Sequence, residues 1–415
     1  MSSDSQLYVS GASRIRFTET CAKDSGAPAS YRLLLVFLIL LYANLPFILP
    51  ATEVLRPAKV VAAAAILMLV VEAASGRRTL ELAWPEGCWL VVFLGAAALS
   101  CFTALWPGHA VEELSELAKM VLSYYFIVNC ANTKRRLRGV MWTMIVGAIL
   151  PAIGTLRNYS NGQLFEGRAS WVGIFANPNE VAYSLIILIP IAAALANRLK
   201  LIPRLGVLAI CLLYLAAIFV TFSRGGYVGL GVAIAIYAWR KRSVWLQAAV
   251  VCLALAAIGL GSRYWSRNED FSNLQGDVSF RQRLATSEAG LNMFIDHPVL
   301  GVGLGCSVVA WPLYAPKDLY SRGALVTHNT LIQPLAETGL AGFIPFVLIL
   351  GIAVASSRRL ALRSTDPDMR TLGGGLEAAT WGFIVCGLSG GYVVTWFPYL
   401  LVGLVSAAKR LRGEE

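Results

Sequence analysis

Arg224 stands in Thr221-Phe222-Ser223-Arg224-Gly225-Gly226, a polar step between two apolar runs joined by almost no loop. A charge at such a place is expensive unless it meets a partner or a wet cavity, and the two glycines let a ligand approach the backbone closely. A ligand anion is one partner for it; Glu112 or Glu116 is the other. His328 opens a further apolar run in Thr327-His328-Asn329-Thr330, where an imidazole could exchange a proton or simply cap a helix end. His109 and His297 carry the same two alternatives. Glu112, Glu116 and Lys119 recur at i, i+4 and i+7 and share one helical face, so Lys119 either pairs with Glu116 or touches a ligand.

Guanidinium groups beside an imidazole suit bidentate binding of phosphate oxygens next to an acid–base group. No Asp-x-Asp spacing that could hold a divalent cation appears on the side of the chain that carries Arg224, Arg283 and His328. Asp366-Pro-Asp368 has the spacing, but with arginines nearby it reads as a solvated turn. Chemistry without metal or cofactor is therefore expected. Gly301-x-Gly303-x-Gly305 follows no strand, so it reads as a flexible turn and not as a nucleotide-binding fingerprint. Among the eight cysteines no Cys-x-x-Cys spacing suggests a metal site, and Cys88, Cys101, Cys211, Cys252 and Cys386 lie within apolar runs as small hydrophobes.

These residues must be positioned by membrane helices. Of 415 residues, 57% are hydrophobic and 14% charged, with a mean hydropathy of +0.64, which excludes an ordinary soluble enzyme. Runs of spanning length fall near 31–50, 57–75, 86–106, 110–130, 137–156, 178–196, 204–222, 225–239, 243–262, 328–355, 377–395 and 397–408. The expectation is an all-α integral membrane protein of about twelve transmembrane helices. Residues 1–30 form a cytoplasmic N-terminal segment, 31–262 carry spans one to nine, and 263–327 form one large periplasmic loop domain with short helices. Residues 328–408 carry spans ten to twelve, and 409–415 are a cytoplasmic tail. In the loop domain, Leu284, Ser287, Leu291 and Phe294 follow helical spacing and suggest an amphipathic helix on the membrane surface or capping a cavity.

The formal charge of +11 is set by 35 Lys and Arg against 24 Asp and Glu. Its placement matters more than its size. Arg77-Arg78, Lys134-Arg135-Arg136, Arg198-x-Lys200, Arg240-Lys241-Arg242, Arg358-Arg359 and Lys409-Arg410 occupy alternate loops, which marks those loops as cytoplasmic and puts both termini on that side. Membrane lipids, and not nucleic acid, are the partners this pattern implies. The opposite side holds nine arginines (Arg56, Arg157, Arg168, Arg224, Arg263, Arg267, Arg281, Arg283, Arg322) and two lysines, Lys59 and Lys317. Arginine dominating there fits a phosphorylated lipid held at the outer membrane face; headgroup snorkelling is the plainer alternative.

TFSRGGYVGL at 221–230, RLATSEAGLNMFIDHPVLGVGLG at 283–305 and HNTLIQPLAETGLAG at 328–342, with GIFANPNEVA at 173–182, together resemble the O-antigen ligase and polymerase superfamily, most closely its lipopolysaccharide ligase branch. The resemblance implies a membrane glycosyltransferase of the GT-C kind in the bacterial inner membrane. Such an enzyme takes a glycan from undecaprenyl pyrophosphate on the periplasmic face and passes it to the lipid A core oligosaccharide. It implies His328 as the catalytic residue and Arg224 and Arg283 as pyrophosphate ligands, with Arg281 a near neighbour. Lys119, Arg56, Arg168 and Asn179 are further possible substrate contacts. The same motifs would serve an O-antigen or exopolysaccharide polymerase or a protein O-glycan ligase. A lipid-linked glycan flippase is the alternative of a different class.

Overall fold

The computed structural model describes residues 27–241, 278–316 and 325–412. The expected span at 243–262, Arg263, Arg267, Lys317, Arg322 and most of the expected N-terminal segment lie outside the described residues. Within them the regular structure is helical apart from one hairpin of two two-residue strands. The helices are α1 (Ala29–Ala43), the single turn α2 (Leu45–Ile48), α3 (Pro57–Ala74), α4 (Glu86–Ser100), α5 (Pro107–Cys130), α6 (Lys134–Gly147) and α7 (Ile149–Ser160). There follow α8 (Pro178–Ala196), α9 (Leu201–Val220), α10 (Arg224–Lys241), α11 (Val278–Asp296), α12 (Ser307–Tyr314), α13 (Ile332–Arg363), α14 (Pro367–Gly387) and α15 (Trp396–Arg412). The hairpin pairs β1 (Leu164–Phe165) antiparallel with β2 (Arg168–Ala169), Phe165 opposite Arg168.

Several helix starts follow from local chemistry. Thr133 caps α6 by accepting from the Arg136 amide, Asn177 caps α8 by accepting from the Asn179 amide, and Asp366 caps α14 by accepting from the Asp368 amide. The last two are followed by proline at the first helical position, where no amide is lost.

Every expected span among the described residues overlaps a helix or a helix pair. Five stretches are long and apolar enough to cross a membrane by themselves: Pro50–Ala74, Lys134–Ser160, Pro178–Ala196, Leu201–Val220 and Ile332–Arg363. Others fall short for visible reasons: α5 carries Glu112, Glu113, Glu116 and Lys119, and α15 ends in Lys409, Arg410 and Arg412. Two expected boundaries move. The span expected at 328–355 begins only at Ile332, which leaves His328 in the preceding loop, and that expected at 377–395 runs instead over α14 and ends at Gly387.

α8 is the axis of the bundle. Nearly all its residues are buried, as an apolar sequence without a polar face requires. α14 packs closely on it because a Cβ at Gly375 would stand 2.7 Å from the Pro190 carbonyl oxygen and 2.8 Å from the Ala194 Cβ. Small residues that let helix backbones approach are a recurrent basis of helix association in membranes.

The basic loops gather at one end of the bundle through ion pairs. Arg240 forks onto Glu377 with two 2.6 Å hydrogen bonds, Lys409 meets Glu86 at 2.8 Å, and Arg410 reaches Glu81 at 2.5 Å. Asp366-Pro-Asp368 belongs to the same lacework: Lys134 reaches Asp366 at 3.0 Å, and both Arg138 and Arg198 reach Asp368. The expected solvated turn is thus a cap and an ionic staple. Burial would raise the Asp366 carboxyl, but Lys134 outweighs it and holds the group below its ordinary range.

At the other end, α11 and α12 enclose a second small core of Ala285, Ala289, Met293, Val302, Cys306 and Trp311 against Ala110 and Ala336. The buried face of α11 is therefore the small one. Leu284 and Leu291, two residues of the expected amphipathic stripe, are exposed, as is Ile295. The glycine turn is tight, not flexible. The amides of Val302 and Gly303 donate to the carbonyls of Ala336 and Glu337 at 2.9 and 3.0 Å, and those of Leu340 and Ala341 donate back to Pro298 and Val299 at 2.9 and 3.1 Å. This exchange replaces helical hydrogen bonds interrupted where α13 kinks at Gly339, φ 57° and ψ −159°.

Candidate functional site

Three chain reversals meet at the end of the bundle opposite the basic loops. In the first, α9 ends at Val220 and α10 begins at Arg224, the turn being made by Phe222 with a φ of 45°. The Ser223 hydroxyl accepts from the Gly226 amide at 3.2 Å and so caps the helix that Arg224 opens. Arg224 is half-buried.

The second reversal leads into α8. Asn179 is buried and its Oδ1 accepts from Arg168 Nη2 at 2.5 Å and from Ser223 Oγ at 2.8 Å. Arg168, also buried, donates through Nε to the Thr221 carbonyl at 2.9 Å. These two expected substrate contacts are thus built into a brace that ties the hairpin, α8 and the start of α10 together.

The third is the glycine-rich loop between α14 and α15. Ser389 Oγ lies 2.9 Å from the Tyr183 hydroxyl, and the Tyr183 and Tyr392 rings meet edge to face at 4.8 Å. A Cβ at Gly225 would collide with Ser389 Oγ and stand 2.8 Å from the Tyr183 hydroxyl, so Gly225 is where α10 can close on this loop. On its far side the loop grips the segment that carries His328: Thr330 N donates to the Gly387 carbonyl at 2.7 Å, and Thr330 Oγ1 donates to the Gly390 carbonyl at 2.6 Å. Asn329 turns the chain into α13 by accepting from the amides of Leu331 and Ile332.

α11 completes the group. Arg283 lies within electrostatic range of both His328 and Tyr183. Burial first, and Arg283 second, push the His328 imidazole down from 6.5 to about 4, since both disfavour a second positive charge. Behind His328, Gln333 accepts from the Val393 amide at 3.3 Å and donates to Glu337 at 3.3 Å, while the buried Glu337 accepts from Ser307 at 2.6 Å. This chain links the site to the kink of α13 and to α12.

The structure therefore brings Arg224, Arg283, His328, Arg168 and Asn179 to one end around the 387–392 loop. Arg281, two residues from Arg283, points to solvent, and Arg56 is exposed at the start of α3, which packs on α1. Lys119 is ion-paired with Glu116, the first of the alternatives open to it. His109 lies against Trp106 at 5.8 Å and His297 is exposed after α11, so neither joins His328. Sequence reasoning missed Tyr183, Ser223, Ser389, Gln333 and Glu337. Ser389-Gly390-Gly391 inside an expected span was the available signal, because such a break at membrane depth needs a structural reason.

Gly301 tests how the outer helices hold this arrangement. Its φ is 67°, and a Cβ there would stand 2.4 Å from the Glu337 carbonyl carbon and 2.5 Å from the Ala336 oxygen. Gly301→Ala is expected to destabilise the protein by about 2–4 kcal/mol, combining overpacking with left-handed strain, seen as a lower Tm in detergent. Gly162→Ala, with a φ of 69° and no atom within 4 Å, should show only the smaller conformational part.

An apolar helical bundle with cationic loops at one end and an arginine–histidine group at the other defines a multi-pass membrane protein. Residues 209–347 match a family model described as O-Antigen ligase. This matched segment runs from α9 past the kink of α13 and contains Arg224, Arg283 and His328, so the likeness to O-antigen ligases covers about a third of the chain and includes the arginine–histidine group. No curated protein matches the chain.

Proposed function

We propose that the protein is an O-antigen ligase: an inverting, metal-independent glycosyltransferase of the GT-C kind that moves a glycan from undecaprenyl pyrophosphate to the lipid A core oligosaccharide. It works on the periplasmic face of the inner membrane, with both termini in the cytoplasm. What supports this reading is that Arg283 stands within electrostatic range of His328 and of Tyr183, whose hydroxyl lies beside Gly225, the neighbour of Arg224.

In this mechanism an acceptor hydroxyl oxygen attacks the anomeric carbon from the side opposite the phosphate, and the bond from that carbon to the phosphate oxygen breaks. His328 takes the hydroxyl proton, and the pyrophosphate leaves with its added charge held by Arg224 and Arg283. The low basicity of His328 serves this sequence. An imidazole held near 4 is neutral at pH 7, and a bound diphosphate would offset Arg283 and raise its basicity towards the working pH, where general bases are most effective. The Tyr183–Ser389 hydroxyl pair beside Gly225 offers hydrogen bonds to the same group.

Proteoliposomes given lipid-linked glycan and lipid A core are expected to yield glycan joined to core with inverted anomeric configuration. Longer lipid-linked glycan with no transfer to core would make the protein a polymerase, and movement of unaltered donor between leaflets would make it a flippase.

A further inference from the structure

At the basic end, between α13 and α15, lies a hollow of about 330 Å³ lined by Ser356, Arg359, Leu360, Lys409 and Arg412. Lys409 is held in place, donating to both carboxylate oxygens of Glu86 at 2.8 and 3.0 Å and to the Trp84 carbonyl at 2.9 Å. Glu86 is fully buried and also accepts from Ser356 at 3.1 Å. One carboxylate thus answers one of three cations. The side chain of Arg412 makes a 3.4 Å contact with the Arg363 carbonyl, a neutral partner. Among the described residues no carboxylate pairs with Arg359 or Arg412.

Two guanidinium groups with a surplus of charge in a concave site call for an anion with several oxygens. The surroundings indicate its source. Leu362, on the turn after Arg359, is exposed, as are Leu80, Leu82 and Trp84 on the segment whose carbonyl holds Lys409. Cations, a tryptophan and exposed leucines together at the end of an apolar bundle mark the level of lipid headgroups.

We infer that this hollow binds the phosphodiester of an anionic membrane phospholipid, Arg359 and Arg412 holding its oxygens while acyl chains lie along the exposed leucines. The site is remote from the arginine–histidine group and independent of the reaction catalysed there.

The test is native mass spectrometry of the full chain released from nanodiscs of phosphatidylglycerol and phosphatidylcholine. The wild type should retain phosphatidylglycerol in preference, and the Arg359→Gln/Arg412→Gln double variant should lose about thirtyfold of that preference. The Arg77→Gln/Lys200→Gln double variant, which removes the same charge from exposed positions at the same end, should retain it. Arg359→Gln alone, at an exposed residue, should lose about fivefold and serves if the double variant does not fold. Equal retention in all variants, or equal loss in the Arg77/Lys200 control, would overturn the site. Displacement by inorganic phosphate as readily as by short-chain phosphatidylglycerol would overturn the lipid assignment in favour of a free anion.

Discussion

His328→Ala is expected to lower glycan transfer in proteoliposomes by about 10²–10⁴-fold, the usual contribution of a general base, with donor binding and protein level unchanged. The imidazole lies in a half-buried loop and not inside α13, so its removal leaves no helix uncapped; Asn329 makes the turn. Transfer that persists at wild-type rate would remove His328 from the mechanism. The pH profile is a sharper check. With the free-protein imidazole near 4, the acid limb of kcat/KM should lie near pH 4 and not near 6.5, and the limb of kcat should lie higher because bound pyrophosphate offsets Arg283. Arg283→Gln removes one of the two causes of the depression, so the free-protein limb should move up. The same depression affects stability with a definite sign. A folded-state pKa below the unfolded value favours the fold above pH 6.5, and that contribution is lost as pH falls from there through about 4.

The second large effect is expected at the arginines. Arg224→Gln and Arg283→Gln should each weaken binding of lipid-linked pyrophosphate about ten- to hundredfold, the range for hydrogen bonds to charged groups. Each should also lower kcat by about 10²–10³-fold if the contact strengthens as the leaving group gains charge. Arg168→Gln should behave differently. Its guanidinium ties Thr221 to Asn179, so the variant should show a lower Tm alongside any loss of activity. Donor binding unchanged in both Arg224→Gln and Arg283→Gln would exclude them as pyrophosphate ligands.

Much of this arrangement is legible in the sequence, for local reasons. Helix positions follow from runs of apolar residues, because a buried helix needs little else. The clustering of cations in alternate loops reveals the two ends of the bundle. Arg224 and His328 stand out because they are costly residue types in or beside apolar runs, whereas Arg283 is singled out by the family resemblance of 283–305.

What could not be read was everything that depends on which helices touch. The spacing of the α11 leucines leaves open whether that helix lies on the membrane or caps a cavity; α13 meets its small face, where a Cβ at Gly290 would stand 2.7 Å from the Ile332 side chain. Asp366-Pro-Asp368 looks like a free turn until α6 and the Arg198 loop arrive beside it. Arg168 and Asn179 have the composition of ligand contacts, but tertiary neighbours supply their partners first. Residue type and spacing determined the helices, the two ends and the charged groups of the site, since these reflect how each segment meets water or lipid. Only the tertiary structure decided which polar groups are braces and which stand at the site, because a hydrogen bond across more than two hundred residues, such as Tyr183 to Ser389, leaves no local trace.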